Sequence, residues 1–182
     1  MINRLFFALI TIILVQFCSQ DKQIKTYRLQ KNNLPSNSIN IKPSYQSIGW
    51  HKPDKWIASK GSNMRLASFE VPFTVGLGDL SIIELNGNGG GIEANVNRWR
   101  TQLGLNFQPL QEIEKDIIIR EGNFGVYQII NLINYQTNLG FLCAIIPLDN
   151  RTLFIKLSGT IEGINESKTD FISFSSSIHL SN

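Results

Sequence analysis

One stretch constrains this chain more than any other: Asn86-Gly87-Asn88-Gly89-Gly90-Gly91 and the residues that follow it. Four glycines and two asparagines exceed the needs of a simple hairpin turn. Several of them are expected to take φ > 0 or to bring backbone close to another group. Directly after them Ile92, Val96, Trp99 and Leu103 recur at spacings of four, three and four. That spacing stacks side chains on one face of a helix. The helix is expected over residues 92–103, stopping at Gly104, the residue type best suited to a left-handed cap.

The chain around this stretch is long enough, at 182 residues, for one domain with a buried core. Hydrophobic residues make up 42% and charged residues 17%, so it reads as globular. A net charge of +3, spread without any block of five like charges, argues against a nucleic-acid partner.

The first eighteen residues differ in kind. Met1–Arg4 is a short basic start, Leu5–Val15 is apolar except for Thr11, and Gln16–Gln20 turns polar around Cys18. A run this short reads as a signal peptide over 1–17 rather than a membrane span. Its end resembles a bacterial lipoprotein signal, in which the terminal Cys carries the lipid. Val15 suits the start of such a lipobox, while Phe17 stands where a small residue is usual. Ordinary cleaved secretion and a retained anchor are the alternatives. Residues 18–44 are polar and without sustained period, with a short strand expected near Ile39–Ile41. They are expected to form a lipid-anchored tether spanning about 25–30 Å as a flexible coil. Residues 45–182 are then a single domain. With Cys18 lipidated, Cys143 stands alone, inside the apolar run Phe141–Ile146, and is expected to be an inert core residue.

Along the domain, Ile48-Gly49-Trp50 reads as a short strand, and Pro53 with Trp56 as a turn. Met64–Pro72 and Asp79–Leu85 read as a hairpin with a loop of about six residues. Ile113–Arg120 and Asn123–Asn134 are expected to be two strands, the second central because it is so apolar. Leu139–Leu148 and Arg151–Ser158 form the next hairpin. A final helix is expected within Glu162–Leu180, with Ile164, Phe171, Phe174 and Ile178 on its apolar stripe. Strands, helix, strands, helix in that order make the class α+β: an antiparallel sheet of five to seven strands flanked by helices.

Chemistry is sparse. His51 and His179 have no neighbours at metal-ligand spacing, and no His-Glu-x-x-His, paired-Cys or Gly-x-Ser-x-Gly motif occurs. No cofactor or metal is therefore expected. Asp79, Glu84, Glu112, Glu114 and Asp116 read as solvated carboxylates. Trp50, His51 and Trp56 could form an aromatic cage, against the simpler reading of two tryptophans packed at the domain edge. The glycine run lacks the Lys-Ser/Thr of a phosphate loop and the βαβ setting of a dinucleotide fingerprint. Two readings of it stay open. Gly89, Gly90 and Gly91 head a helix whose free N–H groups suit an anion or partner, with Glu93 already in the first turn. Otherwise the loop only lets the helix pack tightly. Asn95, Arg98 and Gln102 share one face beside the apolar stripe, the best candidate binding surface.

Several of these words carry a resemblance. Met64–Phe69, the Gly-Gly loop, Ala94-Asn95-Val96-Asn97-Arg98-Trp99-Arg100 with Gln102-Leu103-Gly104, and Phe154–Gly159 resemble a family of uncharacterised bacterial envelope proteins, many of them predicted lipoproteins. Gly49-Trp50 with Pro53 and Trp56 looks like that family's opening. Relatives often have Gly-Asp-Ala-Gly-Gly before the helix, where this chain has Asn86–Gly90 without the acid. The resemblance implies a PsbP-like fold, an α/β/α sandwich, and location in the bacterial cell envelope, periplasm-facing or at the surface. It implies a non-catalytic binding or assembly module, held at the membrane through its lipid and working with an envelope protein partner. The alternative is a small envelope hydrolase or ligand-binding enzyme using the loop at 86–91.

Overall fold

A computed structural model describes residues 47–181. The signal segment, Cys18, the tether and the short strand expected near Ile39–Ile41 lie outside the described residues. The elements run β1 (Ile48–Gly49), β2 (Ile57–Ala58), β3 (Ala67–Pro72), β4 (Leu77–Asn86), α1 (Ile92–Gln102), α2 (Leu110–Asp116), β5 (Ile118–Gly122), β6 (Gly125–Asn134), β7 (Leu139–Leu148), β8 (Arg151–Thr160), α3 (Ile161–Ser176) and β9 (His179–Leu180). The class is α+β, as the sequence pattern implies.

Seven strands form one antiparallel sheet in the order β2-β3-β4-β8-β7-β6-β5, and β1 pairs with β9 in a separate ribbon. β8 is therefore central. It pairs with β4 along eight residues, from Asp79↔Ser158 to Asn86↔Arg151, and with β7 from Leu139↔Thr160 to Leu148↔Arg151. Everything between β4 and β8 forms an excursion of helices and strands that returns to its starting edge.

Period-two alternation divides the apolar residues between two cores. Leu153, Ile155 and Leu157 of β8, with Leu142, Ala144 and Ile146 of β7, face α3. There Ile164, Phe171 and Phe174 meet Trp56 and Phe69, with the Trp56 and Phe174 rings 4.9 Å apart. Trp50 packs edge-on against Phe69 at 6.1 Å. The two tryptophans belong to this core rather than to an open cage. The opposite face gathers Val96, Trp99 and Leu103 of α1 and Ile113 of α2 over Ile130, Leu132, Cys143, Ile145 and Phe154.

Four expectations need correction. The span from Ile113 is not one strand: Leu110–Asp116 is helical and β5 starts at Ile118. Pro109 occupies the cap position, five of the seven residues after it are good helix formers, and Glu112 pairs with Lys115 one turn on at 2.6 Å. The apolar β6 lies next to the sheet edge rather than at its centre, because β5 folds back beside it. The β3–β4 turn is shorter than expected, using residues 73–76, with Gly76 at φ 94°. Finally α3 ends at Ser176, so Ile178 reaches the core from the segment beyond the helix.

The cap of α1 follows expectation in detail. Gly104 takes φ 72°, its N–H bonds to the Thr101 carbonyl at 3.0 Å, and Leu105 N–H bonds to the Arg100 carbonyl at 2.8 Å. This is the paired-bond glycine cap that satisfies two terminal carbonyls at once.

Candidate functional site

The glycine loop leaves β4 and climbs to the head of α1. Gly87, Gly89, Gly90 and Gly91 all take positive φ, between 58° and 92°. The loop is bound to the β7–β8 turn by Gly87 N–H to the Asn150 carbonyl at 2.8 Å, and by Thr152 Oγ1 to the Gly87 carbonyl at 2.7 Å. Internally, Asn88 accepts through Oδ1 from Gly90 N–H at 3.1 Å.

Asn95 locks the loop to the helix. Its Nδ2 donates to the carbonyls of Gly89 and Gly91 at 2.9 and 2.7 Å, and its Oδ1 accepts from Nη2 of Arg98 at 2.6 Å. Asn95 is only 1% exposed. The expected shared surface of Asn95, Arg98 and Gln102 is thus divided: Asn95 is an internal brace, while Arg98 and Gln102 are exposed. The reason lies in the glycines, whose carbonyls fold back over the first turns of α1 and cover Asn95.

Loop and helix together wall a cleft of about 730 Å³. Gly90, Gly91, Ile92, Glu93 and Ala94 form one side, Leu110 and Glu114 of α2 another, and Ile119, Val126, Gln128, Ile145, Pro147, Thr152 and Phe154 the sheet side. Gly91 has no heavy atom within 4 Å of where a Cβ would stand, whereas a Cβ at Gly89 would overlap the Phe154 ring. Gly89 therefore serves packing, and Gly90 and Gly91 open onto the cleft. No side chain caps the head of α1. Two carboxylates, Glu93 and Glu114, line the same cleft and form no ion pair among the described residues. Their charge opposes the pull of the helix dipole on an anion. The cleft favours a ligand with an apolar body and a neutral or cationic end.

Away from the cleft, Lys156 of β8 stands on the α1 side of the sheet, opposite Ser81 of β4 and Cys143 of β7. Its Nζ donates to Oε1 of Gln102 at 2.8 Å and lies 4.4 Å from the centre of the Phe141 ring. Burial lowers its pKa, assisted by the nearby Arg65 and Arg98 and opposed by Cys143 and Asp79. Arg65 is itself taken by Asp79, both carboxylate oxygens lying 2.8 Å from its guanidinium.

Lys156 and Asn97 were not legible as special. Asn97 is buried, donates to the Glu93 and Gln108 carbonyls at 3.0 and 2.8 Å, and accepts from Gln108 N–H at 2.8 Å, pinning the segment after α1 to the helix. The available signal was Asn-x-Asn inside a helix, where asparagine is a poor helix former unless its amide has a task.

Several other titratable groups meet in pairs. Glu84 pairs with Arg151 at 3.1 Å, and His51 stacks on His179 at 5.2 Å. Cys143 is fully buried, and burial pushes its thiol pKa up, away from the reactive range. Among the described residues no group of three His, Cys, Asp or Glu side chains could hold a metal, and no helix is long and apolar enough to cross a membrane.

No family model and no curated protein matches the chain. Among solved structures it is similar to cyanobacterial PsbP (CyanoP) from Synechocystis, at 14% identity and TM-score 0.47, over 77% of this chain and 96% of that one. It is also similar to a protein from Bacteroides thetaiotaomicron, at 10% identity and TM-score 0.44, over 74% of this chain. The match spans 45% of the Bacteroides protein's length.

Proposed function

We propose that the folded domain is a binding module whose ligand enters the cleft at the head of α1, and that a lipid on Cys18 holds the chain at a bacterial envelope membrane. The observation that carries the first part is the cleft itself. A concave, largely apolar space of about 730 Å³ with a few polar groups is the usual form of a small-ligand site. Its lining offers two carboxylates from different helices, Glu93 and Glu114, one hydroxyl, Thr152, and two side-chain amides, Asn88 and Gln128. It offers no Ser, Cys, His or Lys. That inventory suits holding a ligand better than attacking one. The ligand class is an apolar body ending in an ammonium or neutral polar group.

Octylammonium and octanoate ions test this against each other by chemical-shift titration. Octylammonium should perturb Val126, Ile145 and the amides of Gly90–Glu93, and bind more tightly than octanoate. Ala94→Trp, at an exposed helical position on the cleft wall, should abolish the perturbation without unfolding the domain. Equal binding of both ions, no binding, or binding that survives the plug would overturn the reading.

A further inference from the structure

Lys156 poses a separate question. A partly buried ammonium is costly without an opposite charge. Asp79, two residues from Ser81 on the neighbouring strand, is already engaged on both oxygens by Arg65. Lys156 instead has a neutral amide oxygen, Gln102 Oε1, and an aromatic face, Phe141. Arg98, one turn before Gln102 on α1, is exposed, and its one hydrogen bond among the described residues goes from Nη2 to Asn95. The rest of that guanidinium fork has no protein partner among them.

We propose that Lys156 and Arg98 form an oxyanion site that takes a phosphate monoester, with Gln102 and Asn95 as positioning residues. Gln102, which holds the Lys156 ammonium, stands one helical turn after Arg98 on the same face of α1, and Asp79 is taken by Arg65, so the charges of Lys156 and Arg98 stay without a carboxylate. A phosphate monoester carries about −1.5 to −2 at neutral pH and matches that deficit better than a single carboxylate. The parts differ in a useful way. Lys156 supplies a point charge on a stem held over Phe141, with one ammonium hydrogen directed to Gln102 and others available. Arg98 supplies a planar fork that can engage two oxygens, its orientation set by the buried Asn95. Asn95 is in turn fixed by the Gly89 and Gly91 carbonyls, so the loop that walls the cleft also aims Arg98. The lowered pKa of Lys156 agrees with this picture, since burial and neighbouring cations both disfavour its charge until an anion arrives.

The same group could come from a soluble phosphomonoester or from a phosphatidate headgroup. The experiment uses the folded domain with inorganic phosphate, glycerol 3-phosphate, and vesicles of phosphatidylcholine with or without phosphatidate, all at constant ionic strength. Phosphate and glycerol 3-phosphate should shift the side-chain resonances of Lys156 and Arg98. Lys156→Met and Arg98→Gln should each weaken binding about tenfold, the scale of one lost charge-assisted hydrogen bond. Lys156→Met keeps the stem over Phe141 and removes an unpaired charge, so it should fold. Binding of the soluble esters alone assigns a soluble ligand; added retention on phosphatidate vesicles, lost in both variants, assigns the headgroup. If neither ester binds, or if both variants bind like the parent, the site does not exist.

Discussion

The side-chain oxygen of Asn95 accepts a 2.6 Å hydrogen bond from Nη2 of Arg98, while the amide nitrogen of the same residue holds two glycine carbonyls of the loop. One buried side chain thus connects the backbone of the loop to an exposed cation a turn further along α1. Replacing Asn95 by Ala leaves the Gly89 carbonyl without a donor and the Gly91 carbonyl with only the backbone N–H of residue 95, at 3.3 Å. The expected loss is about 1–3 kcal/mol, the usual range for stranding buried polar groups. Urea melts check it. A loss under about 0.5 kcal/mol means that water satisfies those carbonyls and the brace is unimportant.

Trp99 is 4% exposed and meets the Phe154 ring edge-on at 6.1 Å, on the floor shared by α1 and the sheet. Trp99→Ala should cost about 3–5 kcal/mol, typical for deleting a large core aromatic. Denaturant midpoints at unchanged slope would measure it. A change below about 1 kcal/mol would mean that the helix is not anchored through this ring.

What could be read from the sequence was whatever rests on local period and turn chemistry. The stripe Ile92, Val96, Trp99, Leu103 placed α1, and Gly104 placed its end, because both signals are carried within a dozen neighbouring residues. α2 was missed because a seven-residue helix shows barely two turns, and its one buried residue, Ile113, merged by eye with the apolar start of β5. Strand order was equally hidden. Apolar content says that β6 is covered, not that β5 lies at its outer edge. Lys156 alternates on the inward face with Phe154, yet only the placement of α1 determines how far that face is shut from water. Asn95 fell on the expected face, but its burial depends on a loop folding back from outside the helix.

Lys156 also sets a pH dependence. Its folded pKa lies below the ordinary lysine value of 10.5. In the window between the two values the unfolded chain binds more protons, so stability contributed by this site rises with pH there. Below the folded pKa the charged ammonium is a fixed cost. Lys156→Met should therefore stabilise the domain at pH 7, by a margin that shrinks as pH rises toward 10.5. Melting temperatures of both proteins at several pH values test this. A margin that grows with pH, or a destabilised variant at pH 7, contradicts it.

If Cys18 carries lipid, the native protein starts at that residue and lacks residues 1–17. Intact-mass measurement should then find a diacylglycerol and a further acyl chain on Cys18. A single chain would bind a membrane only marginally, so the multiple acylation matters for retention. A free thiol at Cys18, or a mature N-terminus at another position, removes the anchor from the proposed function and leaves the cleft unaffected.

The loop glycines separate into two tasks, and substitution can distinguish them. All of Gly89, Gly90 and Gly91 hold positive φ, so alanine at any of them should cost roughly 1–2 kcal/mol in backbone strain. At Gly90 and Gly91 that should be the whole effect, since the added methyl points into open space or barely reaches Asn95. At Gly89 the methyl overlaps the Phe154 ring, which is wedged between Trp99 and the cleft floor. Moving that ring should add about 1–3 kcal/mol, as overpacking does elsewhere. It should also alter the cleft, so octylammonium binding should weaken in Gly89→Ala through a displaced floor, with the wall at Gly90 and Gly91 left in place. Equal melting for the three variants would show that the loop yields without disturbing Phe154. The glycine run would then be a pliable wall of the cleft with no part in the core.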